Sequence, residues 1–310
     1  MADKFRLVTR SDFDGLVCAV LLKELDLVDE IVFVHPKDMQ DGKVDIGPND
    51  ITTNLPYVPS CHLCFDHHSS EITRTGGAKA DNYIIDPDAP SAARVVFEHY
   101  GGRDRFTNIP EGLMVQVDKA DSAHFSEEDV LFPEDWVLLS FLMDSRTGLG
   151  LFKDFRISNY DLMMQLISAC RDHNIDEILD MPDVRERKEL YFAHQDKFKE
   201  QLHRCAEVHD NLVVLDLRDE EVIYAGNRFV IYALYPQCNV SMHVLWGVDK
   251  QTTVFAIGAS IYNRTCKTNI GELCLARGGG GHRFAGTCQI PTEDSERVKQ
   301  ELIKQLTTIG

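Results

Sequence analysis

A chain of 310 residues with 44% hydrophobic and 26% charged residues has the composition of a soluble globular enzyme, and its length suits two domains. A formal net charge of −18, from 50 acidic against 32 basic residues, excludes the basic stripe on which tight binding of long nucleic acid depends. No apolar run approaches the ~20 residues of a membrane helix, and nine cysteines behind a start (Met1-Ala2-Asp3-Lys4) that shows no leader are expected to be reduced thiols of a cytoplasmic protein.

The first elements alternate in type. Phe5–Thr9 reads as a strand, Gly15–Leu27 as a helix, Glu30–His35 and Cys61–Phe65 as further strands. Helices are expected at Pro90–Tyr100, Glu111–Val117 and Asp135–Met143. This rhythm predicts an α/β domain over residues 1–180 with a doubly wound, largely parallel sheet, whose ligands belong at the carboxyl ends of the strands. Residues 181–210, rich in charge and helix formers, read as an exposed connecting helix. Over 211–310, Asn211–Leu217, Phe229–Tyr235, Val240–Trp246 and Thr253–Ile261 read as strands, with helices at Ile270–Arg277 and Ser295–Thr307. A smaller, mixed α+β domain is expected there.

Three motifs carry chemistry. Asp12-Phe13-Asp14-Gly15 follows the first strand, Asp66-His67-His68 follows the third, and Gly278–Gly281 leads into His282. Alone, Asp12 and Asp14 read as capping residues of a helix N-terminus. Beside a carboxylate and two imidazoles at another strand end they read as metal ligands, in a donor mixture that suits harder ions such as manganese. The glycine run would let backbone N–H groups approach an anion. Arg264, on the strand side of the run, could grip phosphate through two N–H groups. Arg277, Arg283 and Arg146 are weaker candidates of the same kind. Cys61 and Cys64 have CxxC spacing but point to opposite faces of a strand, which argues against zinc or redox roles.

The three motifs, in this order and spread over nearly the whole chain, resemble the DHH phosphoesterase superfamily, in the branch with the DHH-associated C-terminal domain that includes nanoRNase-type oligoribonucleases and exopolyphosphatase-like chains. The resemblance implies two divalent ions, preferably Mn²⁺, at Asp12, Asp14, Asp66, His67 and Asp118, with Asp121 the second choice after Asp118. It places His68 by the substrate phosphate and gives Arg264, Gly279, Gly280, Gly281 and His282 to the distal part of the substrate. The catalytic set it implies is Asp14, His67, His68 and Asp118. The sequence departs from the pattern twice: Val8 stands where many members have His, and Asn54 where a bridging Asp is expected. Both changes weaken the ion at Asp12, unless His35, Asp45 or Asp50 replaces the lost ligands. Asp12-Phe13-Asp14-Gly15 also resembles the haloacid-dehalogenase motif, but that motif wants Thr where Leu16 stands and has no use for the other two.

The expected function is a metal-dependent phosphodiesterase in which two-metal water attack cleaves linear dinucleotides or very short oligoribonucleotides to mononucleotides. Exopolyphosphatase, nucleotide phosphomonoesterase or a catalytically weak nucleotide-binding protein are the alternatives. The expected partner is a short nucleotide, with no long nucleic acid and no membrane, and the oligomeric state stays open.

Overall fold

The computed structural model describes residues 4–77, 79–152 and 154–309; Met1–Asp3, on which the reading of a leaderless start rests, lie outside them. The chain divides into two compact units. One comprises Met1–Phe125, Pro133–Ser145 and Leu149–Glu189, the other Ser126–Phe132, Arg146–Gly148 and Leu190–Gly310. All nine cysteines are free thiols. Among the described residues, no helix is long and apolar enough to cross a membrane.

The first unit is built on β1 (Phe5–Arg10), β2 (Val28–Val34), β3 (Asp50–Thr53), β4 (Leu63–Asp66) and β5 (Tyr83–Ile85). They form one parallel sheet in the order β2-β1-β3-β4-β5. This doubly wound order reverses direction between β1 and β3, and the carboxyl ends of strands at such a switch point are where α/β sheets place ligands. The motif-bearing segments after β1, β3 and β4 all leave the sheet there. Strands β3 and β5 escape sequence reading because, at 4 and 3 residues, they are too short to show a period.

Helix α1 (Phe13–Glu24) is buried from Phe13 through Leu22, which explains its nearly uninterrupted apolar sequence. Asp12 caps it by accepting from the Gly15 amide. Gly15 is required at this point: a Cβ there would lie 1.9 Å from the Arg10 carbonyl oxygen. The unit continues with α2 (Pro36–Gln40), α3 (Ser69–Arg74), α4 (Ala92–His99), α5 (Gly102–Arg105) and α6 (Glu111–Asp121). After α7 (Glu127–Leu131), which belongs to the second unit, come α8 (Asp135–Met143), α9 (Asn159–Asp172) and α10 (Ile175–Asp180). Pro182 opens α11 (Pro182–Cys205), and the division between the units falls within this helix.

The second unit holds β6 (Ala206–His209), β7 (Leu212–Asp216), α12 (Val230–Leu234), β8 (Val240–Trp246), β9 (Thr252–Ala259), α13 (Ile270–Leu275), β10 (Gly280–His282), β11 (Ala285–Pro291) and α14 (Ser295–Ile309). Its sheet has the order β10-β11-β9-β8-β7-β6, in which only β7 and β8 run parallel. Alternation along β8 and β9 sends Val240, Met242, Val244, Phe255 and Ile257 into a core shared with Leu302 and Leu306 of α14. Phe229–Tyr235, expected as a strand, is instead the short helix α12, and Tyr232 donates its hydroxyl to the Gly258 carbonyl oxygen at 2.9 Å. A short apolar run of this length satisfies either period, and packing over a finished sheet decides it.

Helix α14 is fastened to the edge of β7 by Asp216, which accepts from Arg218 (2.6 Å) and from Lys299 of α14 (2.7 Å). Burial pushes the Asp216 carboxyl up, but these cations outweigh it and hold it at about 2. A depressed carboxyl pKa stabilises the fold above the unfolded-state value and is lost as pH falls towards the folded-state value. Asp216→Asn is therefore expected to cost about 1 kcal/mol at pH 7, after solvent screening of a partly exposed group. Thermal unfolding of the two proteins should show that difference shrinking between about pH 4 and pH 2.

Candidate metal centre

Three elements bring ligands together at the switch point. The first turn of α1 supplies Asp14, the segment leaving β4 supplies His67, and the last turn of α6 supplies Asp121. One donor atom from each lies within 4.8 Å of the other two. Asp14 is 3% exposed, and both its oxygens accept from the first turn of α4, Oδ2 from the Ala92 amide (3.0 Å) and Oδ1 from the Ala93 amide (2.8 Å). A helix N-terminus is the right environment for a buried carboxylate, since its first N–H groups lack partners within the helix. His67 Nδ1 donates to the Ala89 carbonyl oxygen at 3.1 Å, which turns Nε2 towards the carboxylates.

The electrostatics match this crowding. Burial first, then the Asp121 and Asp12 carboxylates, push the Asp14 carboxyl up to about 7, with His67 opposing them. Burial works against a His67 cation, but Asp121 and Asp14 outweigh it and raise the imidazole to about 9. Burial also favours a neutral Asp121, yet His67, His68 and Arg10 keep its carboxyl below the ordinary value. Near neutral pH the cluster thus retains protons that a bound cation would displace. His67 Nε2 stands 2.9 Å from Asp121 Oδ2 without the alignment of a hydrogen bond, and Asn54 Oδ1 and Asp66 Oδ2 are also buried without a hydrogen-bond partner. Two carboxylates and an imidazole aimed at one point, with buried oxygens beside them, fit a divalent cation.

The other expected site residues divide. Asp118, first choice over Asp121, does not join the cluster. It accepts from the Ser91 hydroxyl (2.8 Å) and pairs with Arg94, so its charge is already compensated. Ser91 in turn caps α4 by accepting from the Arg94 amide. Asp118 therefore braces the helix end that holds Asp14. Three residues along α6 separate the two aspartates, a rise of about 4.5 Å, and only Asp121 reaches the cluster.

Asp66, fully buried, accepts at Oδ1 from the His67 and His68 amides and from His68 Nδ1 (2.7 Å), so it orients His68 and stands outside the trio. Burial opposes the His68 cation, but Asp66 outweighs it and raises the imidazole above its usual value. Asn54, in the left-handed region at φ 54°, directs Nδ2 to Asp12 Oδ1 at 3.1 Å. The three residues expected as replacements for the ion at Asp12 are engaged elsewhere or exposed. His35 caps α2 by accepting from the Lys37 amide, Asp50 is bound by Arg6, and Asp45 is exposed. Arg10, which sequence reading passed over, pairs with Asp12 Oδ2 at 2.9 Å.

In the second unit the glycine run leaves a turn at Gly278 and enters an edge strand, β10, at Gly280. Two of its glycines answer to close packing: a Cβ on Gly279 would lie 2.1 Å from the Thr287 carbonyl oxygen, and one on Gly281 would lie 2.2 Å from that of Ala285, while Gly278 and Gly280 have open space there. Gly280 pairs with Thr287. His282 and Arg264 are exposed. Register puts Ala285 opposite Gly258, and the Ala259 amide donates to the Phe284 carbonyl oxygen, so the turn after His282 and the chain leading to Arg264 share one end of the sheet. Arg277 is bound by the Leu273 carbonyl and by Gln305 of α14, a structural role.

No family model matches the chain, and no curated protein matches it. Among solved structures it is similar to PggH, a pGpG-specific phosphodiesterase from Vibrio cholerae, at 60% identity over 99% of this chain and 100% of that one, with a TM-score of 0.85. RecJ from Thermus thermophilus shares the fold, in complex with Mn²⁺ at 13% identity and with Mg²⁺ at 14%, each with a TM-score of 0.52. Those likenesses span 99% of this chain but 52% and 50% of the RecJ chains.

Calorimetric titration with Mn²⁺ separates the two aspartates of α6. Asp121→Asn and His67→Ala are each expected to abolish high-affinity uptake. Asp118→Asn should retain it with affinity weakened about 10-fold, the usual effect of losing a group that only supports a ligand.

Proposed function

The chain belongs to the DHH superfamily of phosphoesterases, and from that premise we propose that it hydrolyses the linear dinucleotide pGpG to two molecules of GMP with the help of manganese. The observation that carries this reading is the trio Asp14, His67 and Asp121 at the switch point, in a chain so similar over its whole length to a pGpG-specific enzyme. The surface charge agrees with it. A net charge of −18 repels a long polyanion, whereas a dinucleotide needs only a few local cations.

Asp14, His67 and Asp121 would hold the ion, which when bound polarises a phosphoryl oxygen and the attacking water. Water adds across the bond between phosphorus and the 3′ oxygen, leaving a 5′-phosphate on one nucleoside and a 3′-hydroxyl on the other. Asp14 is kept in place by the amides of α4, so its carboxylate does not need to reorganise during the reaction. His68, held by Asp66, which raises its imidazole against the opposing effect of burial, is suited to hold a phosphoryl oxygen. Arg264, Gly279, Gly280, Gly281 and His282 are assigned to substrate binding in the second unit.

Incubation of the purified chain with pGpG and Mn²⁺, followed by chromatography, should yield GMP, and chelation should stop it. Degradation of polyphosphate with pGpG left intact would refute the reading. Arg264→Ala is expected to raise KM for pGpG about tenfold with kcat nearly unchanged, the mark of a lost charge-assisted contact made equally in ground and transition states.

A further inference from the structure

Asp12 and Asn54 are the residues that the family pattern assigns to a second ion, and their surroundings are those of an ion pair instead. Asp12 Oδ1 accepts from the Gly15 amide at 3.0 Å and from Asn54 Nδ2 at 3.1 Å. Asp12 Oδ2 faces Arg10 Nε at 2.9 Å. Asn54 thus meets Asp12 with a donor, and the oxygen it has left, Oδ1, is neutral, where the expected bridging Asp would bring a second negative charge. Val8, in the place of the histidine found in many members, is buried in an apolar cluster with Met39, Leu55 and Cys64 and carries no donor atom.

The alternation of β1 supplies the connection. Val8 and Arg10 are two residues apart and face the same side of the sheet. The strand that lost an imidazole at Val8 presents a guanidinium at Arg10, where it leaves the sheet. The Arg10 side chain is 34% exposed, so its outer N–H groups can reach a ligand while Nε holds Asp12.

The count of charges favours the same arrangement. Asp14, Asp121, a neutral His67 and one divalent cation sum to zero, as do Asp12 and Arg10. A second divalent cation would have one carboxylate and a neutral amide to offset it, beside a guanidinium that repels it.

We infer that this centre holds a single divalent ion and that Arg10, oriented by Asp12, supplies the second positive charge that a second ion would otherwise provide to the phosphate. Arg10 is then a catalytic residue: its planar fork binds the phosphoryl oxygens as negative charge grows on them. The inference rests on the phosphodiesterase reading for its substrate, but the number of ions does not.

The test begins with the metal-free wild-type chain, titrated with Mn²⁺ while bound ion is counted and its electron paramagnetic resonance spectrum recorded. Saturation at one ion per chain, with the hyperfine-split spectrum of an isolated Mn²⁺, is expected. Two ions per chain with an exchange-coupled spectrum would overturn the assignment. Arg10→Ala should still bind one ion, while kcat/KM for pGpG falls about 100-fold, the usual effect of losing a donor to developing charge. Arg10→Lys should recover part of that loss, because the charge returns without the fork. Unchanged turnover in a folded Arg10→Ala chain would remove Arg10 from the reaction. A wild-type chain that leaves pGpG intact would end the substrate reading, whereas the ion count would still decide between one ion and two.

Discussion

The carboxylate of Asp14 accepting from the amides of Ala92 and Ala93 is the contact around which the first unit is arranged. A carboxylate this deeply buried needs compensation, and the unpaired N–H groups at a helix N-terminus provide it without a counter-charge. The bond fixes the start of α1 against the start of α4. Everything nearby serves one of those two ends. Gly15 lets α1 approach the Arg10 carbonyl, and Ser91, Arg94 and Asp118 hold the first turn of α4 in shape.

That mechanical frame creates an electrostatic problem which the chemistry then uses. Asp12, Asp14 and Asp121 converge where the sheet opens, and the resulting field raises His67 and, with burial, Asp14 far enough that both keep protons near neutrality. A divalent cation bound there would displace those protons. The nearby cations are sorted by position: Arg10 is committed to Asp12 and Arg94 to Asp118, which leaves the trio of Asp14, His67 and Asp121 as the place for an ion. The formal net charge of −18 opposes the approach of a long polyanion, whereas a small anion needs only a few local cations.

Elements whose sequence pattern is strong emerge where expected: Asp135–Met143 and Val240–Trp246 have the bounds their periodicity predicts. The strand ends preceding Asp12 and Asp66 were equally legible, because a short apolar run that stops at charged residues marks both the strand and its edge. Phe229–Tyr235 misled, since aromatic and β-branched residues promise a strand that packing made into α12. The glycine run misled in another way. At Gly279 and Gly281 the lack of a side chain is demanded by Thr287 and Ala285 on the neighbouring strand, a requirement no local window contains.

The sequence by itself pointed to the kind of centre, because carboxylates and imidazoles at the carboxyl ends of strands of one parallel sheet gather at the same edge of it. It also determined that a second set of ligands was weakened, since Val8 has no donor atom and the amide oxygen of Asn54 carries no charge. Which aspartate of α6 enters the centre was left to tertiary structure. Asp118 and Asp121 sit on similar sides of the same helix, and the choice depends on how deeply Leu113, Met114, Gln116 and Val117 seat it. The partner of Asp12 was also decided there. A side chain two residues away becomes its counter-ion only because the strand ends at Arg10 and the chain turns back into α1, a geometry set by packing rather than by the order of residues.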